Sequence, residues 1–280
     1  MDVLTRLIVG LNSVANALGR PLLAPIGVLP GWFSATVMAA ATGVLLLLVF
    51  KYTSNQRVIK RVRDDIDANW LALKLFKDSA RVTLAAQGHL LLGAVRLFVL
   101  ALVPMAVMVV PVTLILGQLS LWYQQRPLRI GEEAVVTLAL NGDPHASFPE
   151  VRLLPTDTVE TTVGPVRVFS KREVCWNIKA LQSGYHRLAF QVDGQDAVKE
   201  LAVGDGFMRV SARRPPWLWS EVLMYPREEP FALDFPVRSI DISYPVRPSL
   251  ACGTDRWVVF WFAVSLAAAV CFRRLLRVNV

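Results

Sequence analysis

Histidine, cysteine and the loop motifs of enzymes are scarce in this chain. Its three histidines, His89, His145 and His186, are dispersed and stand at no metal-ligand spacing to Cys, Asp or Glu. The sequence contains no phosphate-binding glycine loop, nucleophile elbow or H-E-x-x-H. The expectation is therefore a protein that is not an enzyme and uses no metal and no cofactor. The acidic pairs Glu132/Glu133 and Glu228/Glu229 read as solvated strand ends and loops. Of three cysteines, Cys175 and Cys252 either pair or remain free thiols, and Cys271 falls in the last apolar segment. The first 30 residues lack a basic start followed by a compact apolar core and a small-residue site, so no cleavable signal is read there.

Charge is missing from three stretches. Residues 33–50, "FSATVMAAATGVLLLLVF", are 18 without a charge, and 97–121 are 25. The third, "WVVFWFAVSLAAAVCF", has 16 and is flanked by Arg256 and by "RRLLR", whose side chains can snorkel to the membrane surface. A span needs roughly 17–25 apolar residues. With 54% hydrophobic residues, against roughly 45–50% in soluble domains, the chain reads as a three-span membrane protein. Trp122 and Tyr123 form an aromatic edge to the second span, and Pro104 and Pro111 are expected to kink it.

The linker after the first span carries Lys51, Arg57, Lys60, Arg61, Arg63, Lys74, Lys77 and Arg81, and the tail carries Arg273, Arg274 and Arg277. Short basic segments beside spans stay in the cytoplasm. Three crossings then put the N-terminus and residues 124–255 outside, as expected in a bacterial inner membrane. Residues 124–255 hold 15 basic and 17 acidic side chains, so the net +8 belongs to the cytoplasmic face. The high charge thus reads as a lipid-facing feature and not as a specific nucleic-acid site.

The organisation expected is an interfacial amphipathic helix and turn (1–32), a first span (33–50), a cytoplasmic helical segment (51–96) and a second span (97–122). An extracytoplasmic β-sandwich (124–250), a third span (256–272) and a cytoplasmic tail (273–280) follow. In the first element Val3, Leu4, Leu7, Ile8, Leu11, Val14, Ala15 and Leu18 recur at helical spacing, with Asp2, Thr5, Arg6, Asn12, Ser13 and Asn16 opposite. That helix, about 17 residues long, lies either in the outer interface or against the outer domain. In the linker Ile59, Val62, Ile66, Asn69, Leu73, Phe76 and Ala80 step by three and four, an apolar seam that must be buried. A helical hairpin with the start of the second span fits its length best.

Beyond Gln124 the apolar period falls to two. Strands are expected near 133–140, 149–154, 158–163, 165–169, 173–180, 185–193, 196–203, 207–212 and 237–243, with a tight turn at Asp193 and Gly194 and Trp176 in the core. In the run "RRPPWLWSEVLMYPREEP", Trp217 and Trp219 either touch the membrane or cap the sandwich. The polar groups of the spans are the groove candidates Arg96, Thr42, Thr113 and Gln118, besides Thr36, Ser120 and Ser265. Arg96 stands where the second span begins and either snorkels or lines a wet cavity. Gln118 prefers a polar partner.

In "LTRLIVGLNSVANALGRPL", "GVLLLLVFKYTSNQRVIKRVRDDIDANWLALKLFKDS" and "LVPMAVMVVPVTLILGQLSLWYQQRPL", about 120 residues, the chain resembles the YidC-type insertase superfamily, especially its three-span archaeal and endoplasmic-reticulum members, with an added β domain. The resemblance implies insertion of other membrane proteins through a lipid-open polar groove, with the basic hairpin recruiting nascent chains or ribosomes. In that scheme Arg57, Lys60, Arg61, Arg63, Lys74 and Lys77 make the cytoplasmic contact. The alternative is a non-catalytic, membrane-anchored β-sandwich that scaffolds or binds other envelope proteins.

Overall fold

The computed structural model describes residues 2–27, 29–75, 80–143, 147–247, 256–276 and 278. The chain is α+β and divides into two compact units, Met1–Ala35 with Thr113–Phe260, and Thr36–Val112 with Trp261–Val280. Among the described residues, three helical stretches are long and apolar enough to cross a membrane: Val3–Gly27, Gly31–Thr53 and Leu84–Tyr123. The second and third contain the expected spans at 33–50 and 97–122, and the first was not among those expected. The first helix, α1 (Asp2–Leu23), has 22 residues, and the stretch that covers all of it but Asp2 reaches spanning length. The helix at the expected third span, α6 (Arg256–Phe272), has 17 and remains a short apolar helix.

The first unit is built on eight strands. In one sheet the order is β3 (Val159–Val168), β4 (Glu173–Ala180), β1 (Glu133–Leu140), β8 (Val237–Ile242) and β7 (Arg213–Arg214). In the other it is β2 (Val151–Leu153), β5 (Gly184–Val192) and β6 (Gln195–Val203). Every pairing between these strands is antiparallel. The period-two pattern sends Val136 and Leu138, Trp176 and Ile178, and Phe190 and Leu201 into one shared core. Trp176 meets Phe190 across it with ring centroids 5.3 Å apart. Val192 pairs with Gln195, and between them Asp193 (φ 46°) and Gly194 (φ 80°) both take positive φ, as a two-residue hairpin turn requires.

Two expected strands, at 158–163 and 165–169, are one. The edge strand β3 runs through Gly164 and Pro165 with shifts of register against β4, an edge position where a missing N–H is tolerated. Residues 207–212 form no strand, and the tryptophan-containing run folds as a six-residue helix, α5 (Trp219–Met224). Cys175 is a free thiol, whereas Cys252 lies outside the described residues.

In the second unit the helix α2 (Gly31–Thr53) presents Ala39, Gly43 and Leu47 on its buried side. Any side chain at Gly43 would place its Cβ 2.1 Å from the Ser265 carbonyl oxygen of α6. Without a hydrophobic drive in lipid, such close approach of small residues is what holds helices together. Further along, Lys51 Nζ donates to Leu276 O at 2.9 Å, so α2 and α6 run in the same direction. The basic ends of both therefore lie together.

The helix α3 (Gln56–Leu75) buries Ile59 and Val62, and half-buries Ile66, Asn69 and Leu73. Its partner is α4 (Ala80–Tyr123), one 44-residue helix that runs without interruption through Pro104 and Pro111. A Cβ at Gly93 would fall 2.6 Å from Ile66 Cγ1, so α3 touches α4 at that point. Phe76 lies outside the described residues. Between Leu91 and Val110, α4 leaves Leu92, Phe98, Val103, Met105 and Val107 exposed, on an arc of roughly half its circumference. Gly43→Val is expected to separate α2 from α6 and lower the unfolding midpoint of the full-length protein in detergent by ~4 °C or more. Ala41→Val, on the exposed side of the same helix, should leave the midpoint unchanged.

Candidate functional site

The helix α1 is amphipathic with its faces reversed. Thr5, Ile8, Asn12 and Leu23 are buried, while Leu4, Leu7, Leu11, Val14, Leu18 and Leu22 face outward. A helix in water hides its apolar stripe; this one hides its amides. Asn12 Nδ2 donates to Val222 O (2.7 Å), one of the carbonyls left open at the end of α5. Asn16 Nδ2 donates to Pro226 O (2.6 Å) just beyond that helix.

The second oxygen of this arrangement serves a buried cation. Arg209 is 5% exposed, and its Nη2 donates to Asn16 Oδ1 and to Gln118 Oε1, each at 2.9 Å. Gln118 Nε2 closes the triangle on Asn16 Oδ1 at 3.1 Å. Among the described residues no carboxylate bonds to Arg209, and its Nε and Nη1 have no hydrogen-bond partner. Burial, and then the charge of Arg227, pushes the Arg209 guanidinium down to about 10. The segment carrying Arg209 is pinned by Lys199, which is wholly buried on β6. Lys199 Nζ donates to Ser211 O (2.6 Å), to Ser211 Oγ (3.2 Å) and to Glu228. Burial holds Lys199 below the usual lysine range despite Glu228. The other Glu228 oxygen accepts the Glu200 N–H at 3.0 Å.

Arg209 opens on a cleft of about 540 Å³ lined by Arg20, Ala24, Trp122, Tyr185, His186, Arg187, Glu200 and Arg227. Four guanidinium groups face one carboxylate there, and that carboxylate is taken, because Arg227 Nε donates to Glu200 Oε2 at 2.8 Å. Tyr185 Oη accepts the Arg209 backbone N–H at 2.9 Å. His186 Nε2 donates to Gln182 O at 2.8 Å. The indole Nε1 of Trp122 is buried and has no acceptor among the described residues.

The groove candidates are divided between the two units, Thr42 and Arg96 in the second and Thr113 and Gln118 in the first. Thr42 Oγ1 donates to Met38 O of its own helix at 2.7 Å. Gln118 has its polar partners in Asn16 and Arg209, while Thr113 lies five residues earlier, on a different face of α4. Arg96 is exposed on α4. On α3, Arg57, Lys60 and Arg61 are exposed and Arg63 is half-buried; the side chain of Lys74 and all of Lys77 lie outside the described residues. The sequence reading missed Arg209, Arg20 and Lys199. The one signal available was the pair of asparagines, Asn12 and Asn16, one turn apart on the polar side of an amphipathic helix. Among the described residues no group of three or more His, Cys, Asp or Glu stands ready for a metal ion.

The hub sets a double-mutant test of stability. Gln118→Leu removes an acceptor from a buried cation and is expected to cost ~1–3 kcal/mol in detergent unfolding of the full-length protein, whereas Gln118→Leu with Arg209→Met should recover part of that loss. Strict additivity of the two single changes would contradict the coupling. Compared with known proteins, the chain matches no family model, and it is significantly similar to no curated protein and to no solved structure.

Proposed function

We propose that this protein assists the insertion or folding of other membrane proteins, in the manner of the YidC-type insertases that its helical segments resemble. In this reading α2, α4 and α6 cross a bacterial cytoplasmic membrane, residues 51–81 and the C-terminus are cytoplasmic, and residues 124–255 lie outside. The observation that carries it is the packing of α3 on α4, with Ile66 against Gly93 and Arg57, Lys60 and Arg61 on the free side. A slack connection would need no buried seam. A stiff cationic hairpin is suited to anionic partners such as ribosomal RNA surfaces. The uncovered arc of α4 supports the same reading, because a client helix can pack there as readily as lipid. The work proposed is non-catalytic and uses no cofactor; its partners are the bilayer and nascent membrane proteins or ribosomes.

A second reading has its own observation. The arginine-lined cleft belongs to the unit containing the β domain and favours a membrane-anchored sandwich that binds a ligand or other envelope proteins. Depletion followed by insertion assays of small membrane proteins separates the two. The insertase reading expects insertion to fail and to be restored by the wild-type gene, but not by one carrying Arg57→Glu, Lys60→Glu and Arg61→Glu. Normal insertion with no nascent chain cross-linked to α3 would rule it out. Outer-side partner capture that survives deletion of residues 56–81 would favour the sandwich.

A further inference from the structure

We infer that the cleft between α1, the end of α4 and strands β5 and β6 is a binding site for a phosphate-bearing anion. Arg20, Arg187, Arg209 and Arg227 surround about 540 Å³, and among the described residues the one carboxylate on the wall, Glu200, is already bonded to Arg227. A volume of this size fits a small ligand or headgroup, since such sites run to roughly 300–1,000 Å³.

Arg209 makes the case more than a count of charges. A guanidinium buried without a counter-ion is costly, and the hub gives Arg209 only the neutral oxygens of Asn16 and Gln118. Among the described residues its Nε and Nη1 have no hydrogen-bond partner, and neither has the Trp122 indole N–H on the same wall. A phosphate supplies the missing charge together with several acceptor oxygens, and the planar fork of arginine suits it. Glu200 bonds to Arg227 and, among the described residues, no carboxylate bonds to Arg209, so its open donors are free for an anion from elsewhere.

The position of the cleft allows two sources of that phosphate. Arg20 is exposed on α1, on the side of that helix turned away from Leu18 and Leu22. The phosphate of a lipid headgroup and that of a soluble ester offer the arginines the same chemistry.

The test uses the full-length protein in nanodiscs, followed by tryptophan fluorescence and by the unfolding midpoint. One arm compares phosphatidylcholine discs with discs that also contain phosphatidylglycerol. The other titrates glycerol phosphate onto phosphatidylcholine discs. A response confined to the first arm identifies a headgroup site, a response in the second identifies a soluble ester, and either supports the proposal. Arg20→Gln with Arg187→Gln, both exposed positions, should weaken the response at least ~10-fold. Arg152→Gln with Arg167→Gln, also exposed, should not. Silence in both arms, or an equal response from the two double variants, would overturn the assignment.

Discussion

Burial of Arg209 without a carboxylate is the constraint around which the first unit is organised. A guanidinium that has lost water must be given acceptors by the chain. They come from Asn16, 193 residues away, and from Gln118, 91 residues away. Both donors of acceptors sit on apolar helices, so the arginine draws α1 and the end of α4 onto the segment after β6. That segment is in turn held by Lys199, Ser211 and Glu228. Once Asn12 and Asn16 are turned inward, the leucines of α1 have no direction left but outward.

An outward apolar face is a statement about the solvent. Water would penalise seven exposed large side chains along one helix, and a membrane or its interface would not. The hydroxyls of the apolar helices agree. Thr42 and Thr53 return their protons to carbonyls four residues back, and Ser265 to one three residues back. Within hydrocarbon every polar group must be satisfied internally. The contact of Gly43 with Ser265, made by close approach and not by large apolar surfaces, belongs to the same regime.

What the sequence disclosed followed from periodicity. The strands β1, β4, β5 and β6, the turn at Asp193 and Gly194, and the seam of α3 all rest on neighbours within a few residues. The errors lie where local pattern gives way to distance. The glycine and proline in the middle of β3 look like a break, yet the edge of a sheet tolerates both. Polar residues of α1 look like its wet face, because nothing nearby in sequence announces Arg209. A short helix such as α5 carries too few periods to be told from a Pro-rich loop. The cleft was invisible for the same reason: its arginines come from positions 20, 187, 209 and 227, and only the folded chain brings them to one wall.

The proposed account places the basic hairpin and the sandwich across a membrane from each other, and sidedness tests this most directly. In a version with Cys175, Cys252 and Cys271 replaced by serine, single cysteines at Lys60 and at Glu160 would be reacted with an impermeant maleimide on intact cells. The account predicts that position 160 labels at once and position 60 only after the membrane is permeabilised. Labelling of both, or of neither, before permeabilisation would contradict it.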